Sequence, residues 1–254
     1  MQLRKWNNRE VIFELECNSI TKLLEGAIKE KVNLSSVNLI NADLRSINLS
    51  GINLSSAILI NVNLTNANLT NAILVNADLR GSDLTNANLS NSDLKNVDLI
   101  NANLSNSNLT NTDLRNSDLR NAILINADLR NSNLINANLN DAILTNANLS
   151  GSDLRNIDLT NANLRNAILK NTTLIKADLG NVVGNMGEIK TMQLEKYQIV
   201  FTKDVLQIGC KQHTIEEWRN FRDSQIKAMD TDALIWWKHW KEFIFKAIEL
   251  TKDK

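Results

Sequence analysis

From Leu34 to Leu179 a leucine stands at every fifth position without a miss, for thirty consecutive quintets. Two positions before each leucine the chain holds something small or β-branched, as at Ala42, Ala67, Ser82, Ala127, Ala147, Ser152 and Ala177. The residue just before the leucine is usually Asn or Asp and the residue two after it usually Asn, so one unit reads Ala-Asn/Asp-Leu-x-Asn. On an α-helix a spacing of five rotates each leucine by about 140° from the last, and on a straight strand successive leucines alternate faces. Neither gives a continuous core. The pattern predicts instead a chain that turns a corner once per quintet, pointing the leucine and the small residue inward and leaving the other three positions to water or to the corner. Asn suits a corner because it tolerates left-handed backbone angles and hydrogen-bonds its own turn. Stacked Asn side chains also form ladders between neighbouring turns of chain.

The flanks follow other patterns. Residues 11–16 alternate well enough for a strand, and Ser19 is placed to cap a helix through Lys31 whose apolar stripe is Ile20, Leu23, Leu24, Ala27 and Ile28. Residues 1–31 are thus expected to cover the end of a repeat region spanning 32–182, which otherwise exposes its leucine core and unpaired backbone. A helix used for partner binding is the alternative. After Leu179, Gly180, Gly184 and Gly187 break the pattern. Residues 183–254 then read as strands at 189–194, 197–201 and 205–208 and a short helix carrying Trp218 and Phe221 behind a Thr214/Glu217 capping box. A longer helix at 232–250 has Ala233, Trp237, Trp240, Ile244 and Ile248 on one stripe.

The quintets Ala42-Asp43-Leu44, Ala77-Asp78-Leu79, Ala127-Asp128-Leu129 and Ala177-Asp178-Leu179 match the motif A-(D/N)-L-x-x, and the stretch resembles the pentapeptide-repeat family. That resemblance implies a mainly β fold, a right-handed quadrilateral β-helix with four quintets per coil, here about 7.5 coils and about 36 Å long at the strand-neighbour spacing. The best-known activity in the family is imitation of duplex DNA by an acidic rod that binds type II topoisomerase. Some members pair through their C-terminal ends, and residues 183–254 look similar to the tails of phage and prophage members.

Charge changes the picture. The chain carries 28 basic and 28 acidic residues, so no global bias points to nucleic acid, and no direct nucleic-acid binding is expected. Within 32–182 there are twelve Asp against ten Lys or Arg, whereas a DNA segment of about 36 Å carries on the order of twenty negative charges. The repeat also lacks the aromatic core residues and projecting loops of the topoisomerase-binding relatives.

With twenty residues per coil, Asp78, Asp98, Asp118, Asp158 and Asp178 fall in one column, with Asn38, Ile58 and Asn138 at its other levels. This is a candidate surface for a basic partner. A solvated face is the alternative, favoured by the basic residue two positions after most acidic ones: Asp43/Arg45, Asp78/Arg80, Asp93/Lys95, Asp113/Arg115, Asp118/Arg120, Asp128/Arg130 and Asp153/Arg155. Outward aliphatics stack as well: Ile123 with Ile143, Ile40 with Ile60 and Ile100, and Val75 with Ile135 and Ile175. They are either scattered exposure or a docking face.

All eleven aromatic residues lie outside the repeat. Trp236, Trp237 and Trp240 cannot all enter one small core, so at least one is expected at a rim or interface. The rings are read as covering the last coil and locking the helices to the hairpin, with a homodimer contact through the terminal helix as the alternative. Cys210 and His213 fall short of the four ligands of a structural zinc site and are read as a buried thiol and a surface imidazole. No nucleophile–base pair or phosphate loop is evident, and no cofactor or metal is expected. There is no leader-like start and no run of eighteen apolar residues. The sequence thus predicts a cytoplasmic, non-catalytic interaction protein, with a DNA-mimicking modulator of a DNA-acting enzyme as the other reading.

Overall fold

A backbone that turns a corner every five residues must satisfy five N–H groups per quintet, and residues 63–67 show how it does so. Asn63 donates to the carbonyl of Ala42 in the preceding coil, Leu64 to Asp83 and Asn66 to Thr85 in the following coil, and Ala67 back across the corner to Leu64, all at 2.7–2.9 Å. The fifth, Thr65, donates to the side chain of Asn63 at 3.1 Å. Every donor is used within two neighbouring coils, as burial requires.

This computed structural model describes residues 1–174, 176–185 and 189–250; Ile175 and Gly187, singled out above, lie outside the described residues. The chain forms two compact units, 1–185 and 186–254.

In the first unit the repeat is a β-helix solenoid. Residues twenty apart form parallel bridges in four columns, from Asn38↔Ile58 to Asn163↔Val183, so four corners close each coil. Each flat stretch is too short to form a regular strand, and the sheet is a stack of single bridges. Every corner residue from Ser36 to Asn181 has a positive φ, near 50–73°. With the hydrogen bond from the next N–H to the leucine carbonyl, this is the turn that needs a left-handed residue at its third position, and Asn fills most of them.

The leucines from Leu34 to Leu169 are buried in succession, with alanine, serine, valine, isoleucine or threonine beside them, and Leu174 is partly buried. Ser92, Ser107, Thr112, Ser117 and Ser132 satisfy their inward hydroxyls on the leucine carbonyl three residues earlier. Gly180 does not end the solenoid as the sequence suggested. Its carbonyl accepts Asn161 N–H, as the residue before a corner does along the solenoid, and Val183 still pairs with Asn163.

The N-terminal cap adds a strand the sequence did not reveal. β1 (Gln2–Arg4) pairs antiparallel with β2 (Val11–Glu14), and the Arg4 carbonyl accepts Asn38 N–H of the first coil at 2.9 Å. Trp6 Nε1 reaches the Ser56 carbonyl at 2.8 Å. α1 (Ile20–Lys29) starts at Ser19, whose side chain accepts Lys22 N–H, and buries Leu23, Leu24 and Ala27.

The second unit is an antiparallel meander, β3 (Lys190–Leu194), β4 (Tyr197–Phe201), β5 (Val205–Ile208) and β6 (Lys211–Thr214), followed by α2 (Ile215–Asn220), α3 (Asp223–Lys227) and α4 (Ala233–Glu249). The Thr214/Glu217 capping box forms at α2. The core is Ile199, Phe201, Leu206 and Ile208 of the sheet against Trp218, Ile226, Trp236, Trp237, Ile244 and Ile248 of the helices. Among the described residues no helix is long and apolar enough to cross a membrane.

Candidate functional site: an acidic face on the solenoid

Asp78, Asp98 and Asp118 stack as consecutive bridge partners, and Asp158 stacks on Asp178, with Asn138 between the two groups. Each aspartate is held by its own corner: its Oδ1 accepts the N–H two residues on, from Arg80, Ile100, Arg120, Thr160 and Gly180 at 2.9–3.2 Å. The aspartates are therefore structural acceptors as well as surface charges. An Asn would serve the fold equally, so the charge itself is not required by the backbone.

All seven acid–base pairs expected from the sequence form, at 2.5–3.0 Å. The arginine pairs are forks, as in Arg120, whose Nε lies 2.9 Å from Asp118 Oδ1 and Nη2 2.7 Å from Oδ2. These hydrogen bonds hold the Asp113, Asp128 and Asp153 carboxyls below the usual carboxylate range.

The pairs do not cancel the field evenly. On the column of five aspartates only Asp78 and Asp118 have an arginine of their own, and Asp141 adds a sixth anion at an adjoining corner. With Arg80 and Arg120 as the cations of its column, and Lys176 at the opposite corner offsetting Asp141, that face has a net charge of three negative, whereas the other three are neutral or positive by one. Asp98 feels this crowding. Its carboxyl is pushed above the ordinary value by partial burial first, then by the Asp78 and Asp118 anions, against the pull of the Ile100 N–H and Arg80. Sorting the sequence into columns of twenty and counting charge per column, rather than per neighbour, reveals this asymmetry.

Ile123 and Ile143 are bridge partners on the next face, with Ile143 36% exposed. Here the side chain cannot accept the corner N–H, so Ile125 and Thr145 N–H have no protein acceptor among the described residues. The aliphatic pair is accommodated at the expense of two hydrogen bonds.

The tryptophans belong to the other unit. Trp236 and Trp237 are buried, with Trp236 Nε1 on the Leu194 carbonyl at 3.3 Å. Trp240 is the rim residue, half-buried, with Nε1 3.1 Å from Glu195. The rings do lock the helices to the sheet. Cys210 and His213 reverse their expected places: the thiol is exposed because it occupies the tip of the β5–β6 hairpin. The imidazole is partly buried, edge-on to Trp218 and Phe221 at 5.6 and 4.7 Å. Among the described residues no group of three metal-ligating side chains occurs.

A family model described as pentapeptide repeats matches in eight copies between residues 24 and 181. Similar solved structures include HetL, a pentapeptide repeat protein involved in heterocyst differentiation regulation from the cyanobacterium Nostoc sp. strain PCC 7120. It is 25% identical over 66% of this chain and 98% of that one, with a TM-score of 0.32. Rfr23 from the cyanobacterium Cyanothece 51142 is 28% identical over 65% and 99%, with a TM-score of 0.23. Full-length QnrB1, a plasmid-mediated fluoroquinolone resistance protein, is 20% identical over 57% and 83%, with a TM-score of 0.23. No protein of curated function matches the sequence.

Proposed function

Since the chain belongs to the pentapeptide-repeat family, we propose that it is a non-catalytic interaction protein whose acidic solenoid face binds a basic surface on a partner protein. The observation that carries this reading is the segregation of charge: one column carries nearly all the unbalanced anions of a solenoid whose other faces are close to neutral. A rigid row of like charges held one strand apart costs stability, yet each aspartate occupies a position where Asn serves the backbone as well. Such a row steers a complementary surface and fixes its register.

The test is affinity capture from the native host with the wild-type chain and with D98K/D158K/D178K. Enrichment of basic proteins that disappears with the reversed charges supports the reading, and identical capture by both chains removes it.

The second reading, a DNA-mimicking modulator of a type II topoisomerase or other DNA-acting enzyme, is favoured by the same column. Its charge is a small fraction of the roughly twenty carried by an equal length of duplex. A supercoiling assay with gyrase at low and high salt separates the two, because mimicry requires inhibition that weakens as salt rises. A right-handed sense of the solenoid and a cytoplasmic location belong to the same proposal. So does a homodimer contact through α4, whose outer side exposes Ile235 and Phe243, with Leu250 exposed just beyond its end.

A further inference from the structure

The second unit contains a cavity that the interaction function does not use. It lies between the sheet and the helices, has a volume of about 60 Å³ and is walled by Tyr197, Ile208, Trp218, Met229, Trp236 and Trp237. The walls are rigid. Tyr197 stands edge-on to Trp236 at 4.9 Å and Trp218 lies against Trp237 at 5.2 Å. The Trp218 indole N–H is fixed on the Leu206 carbonyl and that of Trp236 on Leu194. Trp237 is only 4% exposed.

Two charged side chains also line the space, Lys211 and Asp230. Asp230 is already engaged: its carboxylate takes Lys196 Nζ at 3.0 Å and the Tyr197 hydroxyl. Lys211 has no ion-pair partner among the described residues and is exposed. Asp230 shares Lys196 with Asp232, 3.9 Å from the same ammonium, so the charge lining the cavity without an ion-pair partner among the described residues is the Lys211 ammonium. That disfavours the cationic ligand that an aromatic enclosure otherwise suits and favours an anion.

Size limits the rest of the ligand. An apolar cavity of about 150 Å³ takes benzene, so 60 Å³ admits a group of about two or three carbons, such as an isopropyl end. We propose that this cavity binds a short branched aliphatic monocarboxylate, its hydrocarbon end among the indoles and its carboxylate on Lys211. The charged head remains at the wet side, where its desolvation cost is least.

The experiment uses the full chain and three probes of nearly equal shape: isovalerate, isovaleramide and isoamylamine. Binding is followed by tryptophan fluorescence and, in a C17S background, by protection of the Cys210 thiol from iodoacetamide, since Cys210 also lines the cavity. Saturable binding of isovalerate is expected, about 1.5- to fivefold tighter than the amide, the range of a solvent-exposed charge pair, with the amine weakest. Lys211→Met should erase the preference for the acid and leave amide binding unchanged. Ala233→Leu, which fills the space from α4, should abolish binding of all three. The proposal is overturned if nothing saturates, if the amine or the amide binds as well as the acid, or if Lys211→Met leaves the preference intact. Lys211 is an exposed residue, so this variant reports even if Ala233→Leu fails to fold.

Discussion

Arg80 Nε stands 3.5 Å from the Asp98 carboxylate of the next coil while its Nη2 is bound to its own Asp78. One guanidinium thus serves two levels of the acidic column, and Asp98, followed by Ile100 rather than a basic residue, depends on borrowed charge. Because burial and the flanking Asp78 and Asp118 anions raise the Asp98 carboxyl above its ordinary value, its ionised form is the disfavoured one in the fold. Asp98→Asn keeps the acceptor for Ile100 N–H. It should stabilise the solenoid by a few tenths of a kcal/mol at neutral pH. The gain should vanish in acid, once pH falls through the raised value; thermal melts of both proteins at the two pH values provide the check.

Ile123→Asn should restore the missing acceptor for Ile125 N–H and raise stability by about 0.5–1.5 kcal/mol. A urea titration measures it. A loss of stability would mean that the contact with Ile143 outweighs the hydrogen bond.

At the corners the left-handed backbone is the constraint. Asn126, at φ 58°, also links Asn106 and Asn146 through amide hydrogen bonds of 3.0 Å on either side. Asn126→Val should cost about 1–3 kcal/mol, whereas Asn126→Gly retains the angle and loses only the ladder. Equal losses for the two variants would locate the corner's stability in the amide ladder rather than in the backbone.

In the dry axis, Leu124 is fully buried between like residues. Leu124→Ala should cost about 2–5 kcal/mol, because a closed stack relaxes poorly around a void. Ala122→Leu should also destabilise, by overpacking, at about 1–3 kcal/mol. Denaturant midpoints at constant slope test both.

In the second unit, Asp230 is lowered from the ordinary 3.8 to about 2, first by the Tyr197 hydroxyl and then by the Lys196 ammonium. A lowered carboxyl stabilises the fold above its unfolded value and loses that contribution as pH falls through the folded one. Asp230→Asn should therefore melt earlier than wild type near neutrality. The gap, read by near-ultraviolet circular dichroism of the tryptophans, should close between about pH 4 and 2.

How far the sequence reached depended on whether each feature was periodic. Asn at the corners, leucine at the axis and the seven Asp-x-Arg/Lys pairs all act within one quintet or between identical quintets, so spacing alone placed them. β1 was hidden because three residues, Gln2 to Arg4, become a strand only by pairing with β2 and then with Asn38 of the coil. β6 was hidden because Lys211 to Thr214 is a polar edge whose regularity comes from β5. Cys210 is exposed although thiols are usually buried, because its place at a hairpin tip overrides the residue preference. The acidic face was visible residue by residue; its imbalance emerged only when charges were summed along the coil axis rather than along the chain.

The twenty-residue bridge spacing has a consequence for changes in chain length. Loss or duplication of one whole coil leaves every surviving residue in its original column, shortening or lengthening the molecule without scrambling its exterior. Loss of a single quintet preserves the leucine axis equally well but turns everything downstream through one corner. Such a deletion placed at residues 136–140 would shift Asp158 and Asp178 out of line with Asp98 and Asp118. Insertions and deletions that the interior accepts alike are thus sorted by the exterior into those in whole coils and those that are not.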